Sequence, residues 1–147
     1  MKIHTRYPAL RLTFGLPLMA GSDKIPIATY VKYQALVIRA LRTKRLPTGL
    51  QKVASKAVRD EVAGWISTEQ SFGVTPVGRV HVDIRSVSTT TYSVIKLCYH
   101  DAKTFRTSSG LNDQPDETRS LGVIVGRRHQ DWIVTAVAKL TQPLRNC

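Results

Sequence analysis

The apolar positions of this chain change period once, and that change divides it. From Ile27 onward, Tyr30, Val31, Ile38 and Leu41 recur at helical spacing, with Leu36 and Val37 widening the stripe. Lys32, Arg39 and Arg42 fall mostly off it. Ser22 and Asp23 are good N-cap residues and Pro26 suits a first turn, so the spacing predicts a helix over Lys24–Thr43. Pro47 and Gly49 punctuate a loop over 44–49. A second stripe (Leu50, Val53, Ala54, Ala57, Val58, Val62, Trp65, Ile66) predicts a helix over Leu50–Ser71 that stops at Gly73. The period then falls to two. Val80, Val82 and Ile84 alternate with Arg79, His81, Asp83 and Arg85 in a first strand. After a turn at Ser86–Thr90, Tyr92–His100 is the second, with Ile95, Leu97 and Tyr99 on one face and Val94, Lys96 and Cys98 on the other. Lys103–Arg119 reads as a long polar connection. Ser120–Gly126 and Trp132–Leu140 are the third and fourth strands, and Pro143 stands in the tail that follows. Helices first and hairpin-linked strands after predict an α+β domain, with two N-terminal helices on one face of an antiparallel sheet of four or more strands.

Composition fits one folded domain: 147 residues, 42% hydrophobic and 22% charged. No apolar run is long enough to span a membrane. The net charge of +12 is unevenly placed. Residues 1–60 carry twelve Lys and Arg against two acids, whereas residues 61–147 carry ten against eight. The positive field therefore belongs to the arm and the helices, and the strands are nearly neutral.

Two cysteines, Cys98 and Cys147, do not make a disulfide-dense scaffold. They pair if the tail folds back on the sheet, and otherwise are two free thiols. No Cys/His cluster has metal spacing, so no metal or cofactor is expected. Basic residues and a short apolar stretch, Leu12–Ala20, outline a weak signal-like segment. Pro8, Gly15 and Pro17 interrupt it, so residues 1–23 read better as a basic arm and 24–147 as one domain.

The strands carry a resemblance. Gly78–Val87 (GRVHVDIRSV), the run from Leu97 to Thr104 (LCYHDAKT) and Arg127–Val137 (RRHQDWIVTAV) are similar to the NTF2-like superfamily, in particular to small secreted or lipid-anchored proteins of actinobacteria. Tyr30 and Tyr33 on the first helix fit the same pattern. The likeness spans about Ile25–Leu140 and implies a curved sheet forming a cone, with a cell-envelope or secreted location. If the likeness does not hold, a cytoplasmic location or a place in a larger particle is expected. The lipid-accepting Cys of those proteins is absent, and the first helix is more basic than theirs. The superfamily includes isomerases, cyclases, binding modules and scaffolds, so the fold alone does not select an activity.

Two residue groups offer chemistry. His81 and Asp83 share a strand face, with His100 at the end of the neighbouring strand; a face turned into the cone would make them an Asp/His pair able to move a proton. Arg79 and Arg85 share that face, which reads more simply as solvated. Tyr99 and Asp101, of opposite parity, are the alternative lining. The second group is Arg39, Arg42, Lys44 and Arg45 with Lys52, Lys56 and Arg59 beyond, a basic cluster that would meet phosphates or an acidic protein. No aromatics interleave with it, which disfavours single-strand stacking, and no phosphate loop is present. Trp65 and Trp132 have core parity. The leading expectation is a non-enzymatic binding or assembly module that docks an acidic protein surface, or its own subunits as an oligomer, through the arm and first helix. A small isomerase- or cyclase-type enzyme and an electrostatic nucleic-acid binder or nucleoprotein-particle component are the alternatives.

Overall fold

A computed structural model of the chain describes residues 9–112 and 114–147. Two helices pack on one face of an open, mixed sheet of six strands. Strand β1 is Arg11–Gly15, helix α1 is Lys24–Thr43 and α2 is Lys56–Phe72. The remaining strands are β2 (Thr75–Thr89), β3 (Ser93–Thr107), β4 (Gly110–Asn112), β5 (Glu117–Arg128) and β6 (Asp131–Lys139). The strand order is β1-β2-β3-β5-β6, with β4 pairing only with β3.

Helix α1 has the predicted bounds and buries Ile27, Tyr30, Tyr33, Val37, Ile38 and Leu41 against the sheet. Lys44 closes it in the left-handed conformation. The caps differ from expectation. The Asp23 side chain makes no bond to the helix start; it is buried and accepts a 2.6 Å hydrogen bond from the Thr89 hydroxyl at the end of β2. Helix α2 begins later than its stripe suggests, because Thr48–Lys52 forms a 3₁₀ turn. Residues 53–55 then leave helical geometry to bond β6: Val134 N–H donates to the Val53 carbonyl and Ser55 N–H to the Val134 carbonyl. Ser55 caps α2 by accepting from Val58 N–H, and Gly73 ends it at φ 62°.

The sheet corrects three expectations. It is mixed and not purely antiparallel, since β1, drawn from the arm, pairs parallel with β2 (Leu12 opposite Val80, Phe14 opposite Val82). Residues 1–8 of the arm lie outside the described residues. The turn expected at Ser86–Thr90 is strand as far as Thr89, because a bulge at Arg85 lets β2 continue. The long polar connection is also largely strand: β3 runs on to Thr107 and β5 starts at Glu117. Among the described residues the sheet is open, not closed on itself.

Inward side chains of β2, β3 and β5 (Val80, Val82, Ile84, Ile95, Leu97, Val123, Val125) meet both helices in one core. The outer face carries the tail. Cys98 and Cys147 are joined by a disulfide. Leu144 N–H bonds the Ser120 hydroxyl, and Arg85 donates to the carbonyls of Arg145 and Asn146. This strap buries Cys98 completely.

Candidate functional site

Between α1, α2 and the inner sheet face lies a cavity of about 520 Å³. Such a volume falls in the ordinary range for small-molecule sites. Val37 and Leu41 of α1, Trp65 of α2, Phe105 of β3, and Leu121 and Val137 supply most of its apolar wall. Tyr33, Gln34, Glu69, Tyr99, Lys103 and Arg119, with Thr68 and the oppositely charged Glu61 and Lys139, supply the polar part.

Glu69 is the most informative member. It follows Val58, Val62 and Ile66 on the buried stripe of α2, so the helix carries a carboxyl into its own apolar face. The residue is 7% exposed, and its Oε2 is buried without a hydrogen-bond partner. An unpartnered buried polar atom is costly, so it marks an unfilled interaction. Burial pushes the Glu69 carboxyl up to about 7, against a smaller lowering by Lys44 and Lys103.

Across the cavity, β3 presents Tyr99, Asp101 and Lys103 at successive inward positions, and β5 places Arg119 opposite Tyr99. Asp101 Oδ2 accepts from both Lys103 Nζ and Arg119 Nη2 (3.0 Å for the latter). The two cations flank the Tyr99 ring, with the Lys103 ammonium 5.9 Å and the Arg119 guanidinium 5.5 Å from its centroid. Arg119 Nε is buried without a hydrogen bond; Glu117 Oε1 lies 3.5 Å away. Burial holds the hydroxyls of Tyr33 and Tyr99 well above the usual tyrosine range, so both remain protonated donors.

The Asp/His trio is placed elsewhere. His81 and His100 are cross-strand partners, and neither they nor Asp83 line the cavity. They alternate with the buried Val80 and Val82 and so face the outer side of the sheet. There His81 Nδ1 is 2.7 Å from the Thr13 hydroxyl, His100 Nδ1 is 3.2 Å from that of Thr118, and the rings stack at 5.8 Å. Asp83 Oδ2 accepts from Arg85 Nε at 2.6 Å. Tyr99 and Asp101, the alternative parity, are the residues turned to the helix side. Among the described residues no group of three or more His, Cys, Asp or Glu side chains gathers to hold a metal.

The basic cluster is dispersed over α1, the loop and 3₁₀ turn that follow it, and the start of α2. Arg39 and Arg42 lie on the exposed face of α1, with Lys24, Lys32, Ala28 and Ala35 along the same face. Lys44 and Arg45 follow the helix, and Lys52 ends the 3₁₀ turn. Lys56 pairs with Asp60 at 2.8 Å; among the described residues Arg39, Arg42, Lys44, Arg45 and Lys52 make no ion pair.

Trp65 corrects a core assignment. It is 43% exposed, because its stretch of α2 covers the cavity mouth instead of solid core. Trp132 is only partly buried, under the Arg127 guanidinium at 4.5 Å. The sequence holds two signals for the cavity, the first being the acidic residue at stripe spacing after Ile66. Gln34, among Tyr30, Tyr33 and Val37, is a second of the same kind.

No protein-family model matches the chain, and no curated protein sequence does. Solved structures share its fold, two of them as follows. The intermembrane space region of chloroplast protein ARC6 superposes with a TM-score of 0.63 at 12% identity, covering 86% of this chain and 100% of that one. A protein from Catenulispora Acidiphila in complex with S-DNPA superposes with a TM-score of 0.50 at 8% identity, covering 76% of this chain and 90% of that one. At these identities the likeness is one of fold alone. Among the described residues no helix is long and apolar enough to cross a membrane.

Proposed function

We propose that this chain is a non-enzymatic binding module of the NTF2-like type that holds a small, largely apolar molecule between its helices and sheet. The observation that carries the reading is the buried, unpartnered Glu69 carboxyl in an otherwise mostly apolar cavity. A polar atom left in that state gains most from a ligand that completes its hydrogen bonding. The isomerase or cyclase reading rested on His81, Asp83 and His100, which lie on the other side of the sheet, and is not carried forward. The disulfide supports an oxidising compartment.

A neutral solvatochromic dye such as Nile red tests the reading. It should bind saturably, with a blue-shifted emission and a change in Trp65 fluorescence. Val137→Phe, which fills the wall, should weaken binding at least about tenfold, since overpacking displaces any occupant. Absence of saturable binding, or equal binding by V137F, would overturn it.

One observation favours a second, compatible reading, docking of an acidic protein surface on α1. Its exposed face runs for about 30 Å with four cations, no acid and alanines between. Uncompensated charges of one sign steer an acidic partner. A polyglutamate peptide should be retained at low salt by the wild type, and the Arg39→Glu/Arg42→Glu double variant should lose at least about tenfold in affinity. Stronger retention of a random DNA duplex than of the peptide, with a steep salt slope, would instead establish the nucleic-acid alternative.

A further inference from the structure

We infer that the cavity takes a monoanionic amphiphile, an apolar body bearing one carboxylate head, with the head seated among Lys103, Arg119 and Glu69. This rests on the cavity being a ligand site at all, and adds the chemistry of what fills it.

The first argument is charge. Lys103 and Arg119 are both cationic, and both lean on the single carboxylate of Asp101. Lys139 and Glu61, which also line the cavity, offset each other, so Lys103 and Arg119 carry one charge more than Asp101 balances. Glu117 Oε1 lies 3.5 Å from Arg119 Nε, but its side chain is 64% exposed, where water screens it. A monoanion balances the surplus. A cationic head would add to it, and a dianion such as a phosphate monoester would exceed it.

The second argument is hydrogen bonding. Arg119 Nε is buried and makes no hydrogen bond, and the Lys103 ammonium has donors beyond the one given to Asp101. Glu69 offers an acid proton from the helix side when neutral. A carboxylate accepts from all three, and charge-assisted bonds of this sort are the strong ones. An alcohol accepts fewer bonds and leaves the surplus charge unmatched. The third argument is shape, since Val37, Leu41, Trp65 and Phe105 give the tail an apolar wall and an exit at the mouth.

The same arrangement makes binding depend on pH. The groups around Glu69 are Tyr33 on α1 and Lys44 at its end, Glu61 on α2, Tyr99 and Lys103 on β3, Arg119 on β5 and Lys139 on β6, with Asp101 bonded to Lys103 and Arg119. When Glu69 is protonated it donates to the bound carboxylate; when ionised it repels it. Its carboxyl sits at about 7, so affinity falls as pH rises through neutrality.

Decanoate, decanol and decylamine, titrated by calorimetry and by Trp65 fluorescence, test this. Decanoate should bind on the order of tenfold more tightly than decanol near pH 6, and decylamine more weakly still. Its affinity should drop on the order of tenfold by about pH 8.5. Glu69→Gln should flatten that pH profile while keeping the acid-over-alcohol preference, and Lys103→Gln should shrink the preference. Decanol or decylamine binding as tightly as decanoate, or a flat wild-type profile, overturns the inference while leaving the cavity reading standing. If none of the three binds and Nile red does not either, the cavity reading itself fails. The wild-type profile needs no variant to fold.

Discussion

Cys147→Ser should lower the stability of this domain by about 4 kcal/mol and its melting temperature by about 10 °C. The bond closes a loop with a sequence separation of 49, and removing it restores to the unfolded chain the freedom of that loop. The folded state loses more than the crosslink. The strap of Thr141–Cys147 is otherwise held by the Leu144–Ser120 bond and by Arg85, which is too little to keep Cys98 covered. Thermal melts of the wild type with and without reductant check this: the reduced wild type should melt with the variant. A C147S midpoint within about 2 °C of the oxidised protein would show that the strap is held without its bond. Because the strap crosses the outer face, Nile red affinity measured well below the melt should not change.

Gly78→Ala has the second large effect, a loss of about 3 kcal/mol. Gly78 sits at φ 102°, and a Cβ built there lies 2.5 Å from the carbonyl oxygen of Ala102. That obstacle is backbone in a paired strand, so nothing flexible can yield. The residue opposite Gly78 is Lys103, and the variant should therefore also weaken decanoate binding at temperatures where it stays folded. Gly64→Ala is the control. Gly64 is inside α2 with open space around its Cβ, and alanine there should stabilise by roughly 0.5–1 kcal/mol. Chemical denaturation of the two variants side by side separates the mechanisms. A Gly78→Ala protein of near wild-type stability would mean that the β2–β3 ribbon relaxes around the new methyl.

What could be read from the sequence divides along physical lines. The bounds of α1 and the face assignments of β2 and β3 follow from period alone, because each element buries one side against a single core. The start of α2 does not, since the backbone bonds from Val53 and Ser55 to Val134 join segments about eighty residues apart. Parallel pairing of β1 is of the same kind: five residues with mixed burial hold no local sign of which strand they join. Strand at Lys103–Thr107 was hidden because its inward residues face a cavity rim, where polar side chains replace the usual apolar ones. Trp65 departs from core for the same reason, its stripe being right and a cavity lying beneath it. The Asp/His trio has the correct parity and the wrong side, since alternation says which residues share a face and not which face the helices cover.

The uneven reach of the strands has a mechanical consequence. β5 accompanies β3 only as far as Asp101, so the stretch carrying Lys103 and Phe105 is backed by β2 on one side and by three residues of β4 on the other. The cavity thus has a stiff wall of helix and central sheet and a more compliant one where β2 and β3 run on beyond β5 with only the short β4 beside them. Amide protons of 103–107 should exchange sooner than those of 93–101, and occupancy should slow them most. In this molecule Lys103, one of the three residues that would grip a ligand's head, is also the one freest to adjust to it.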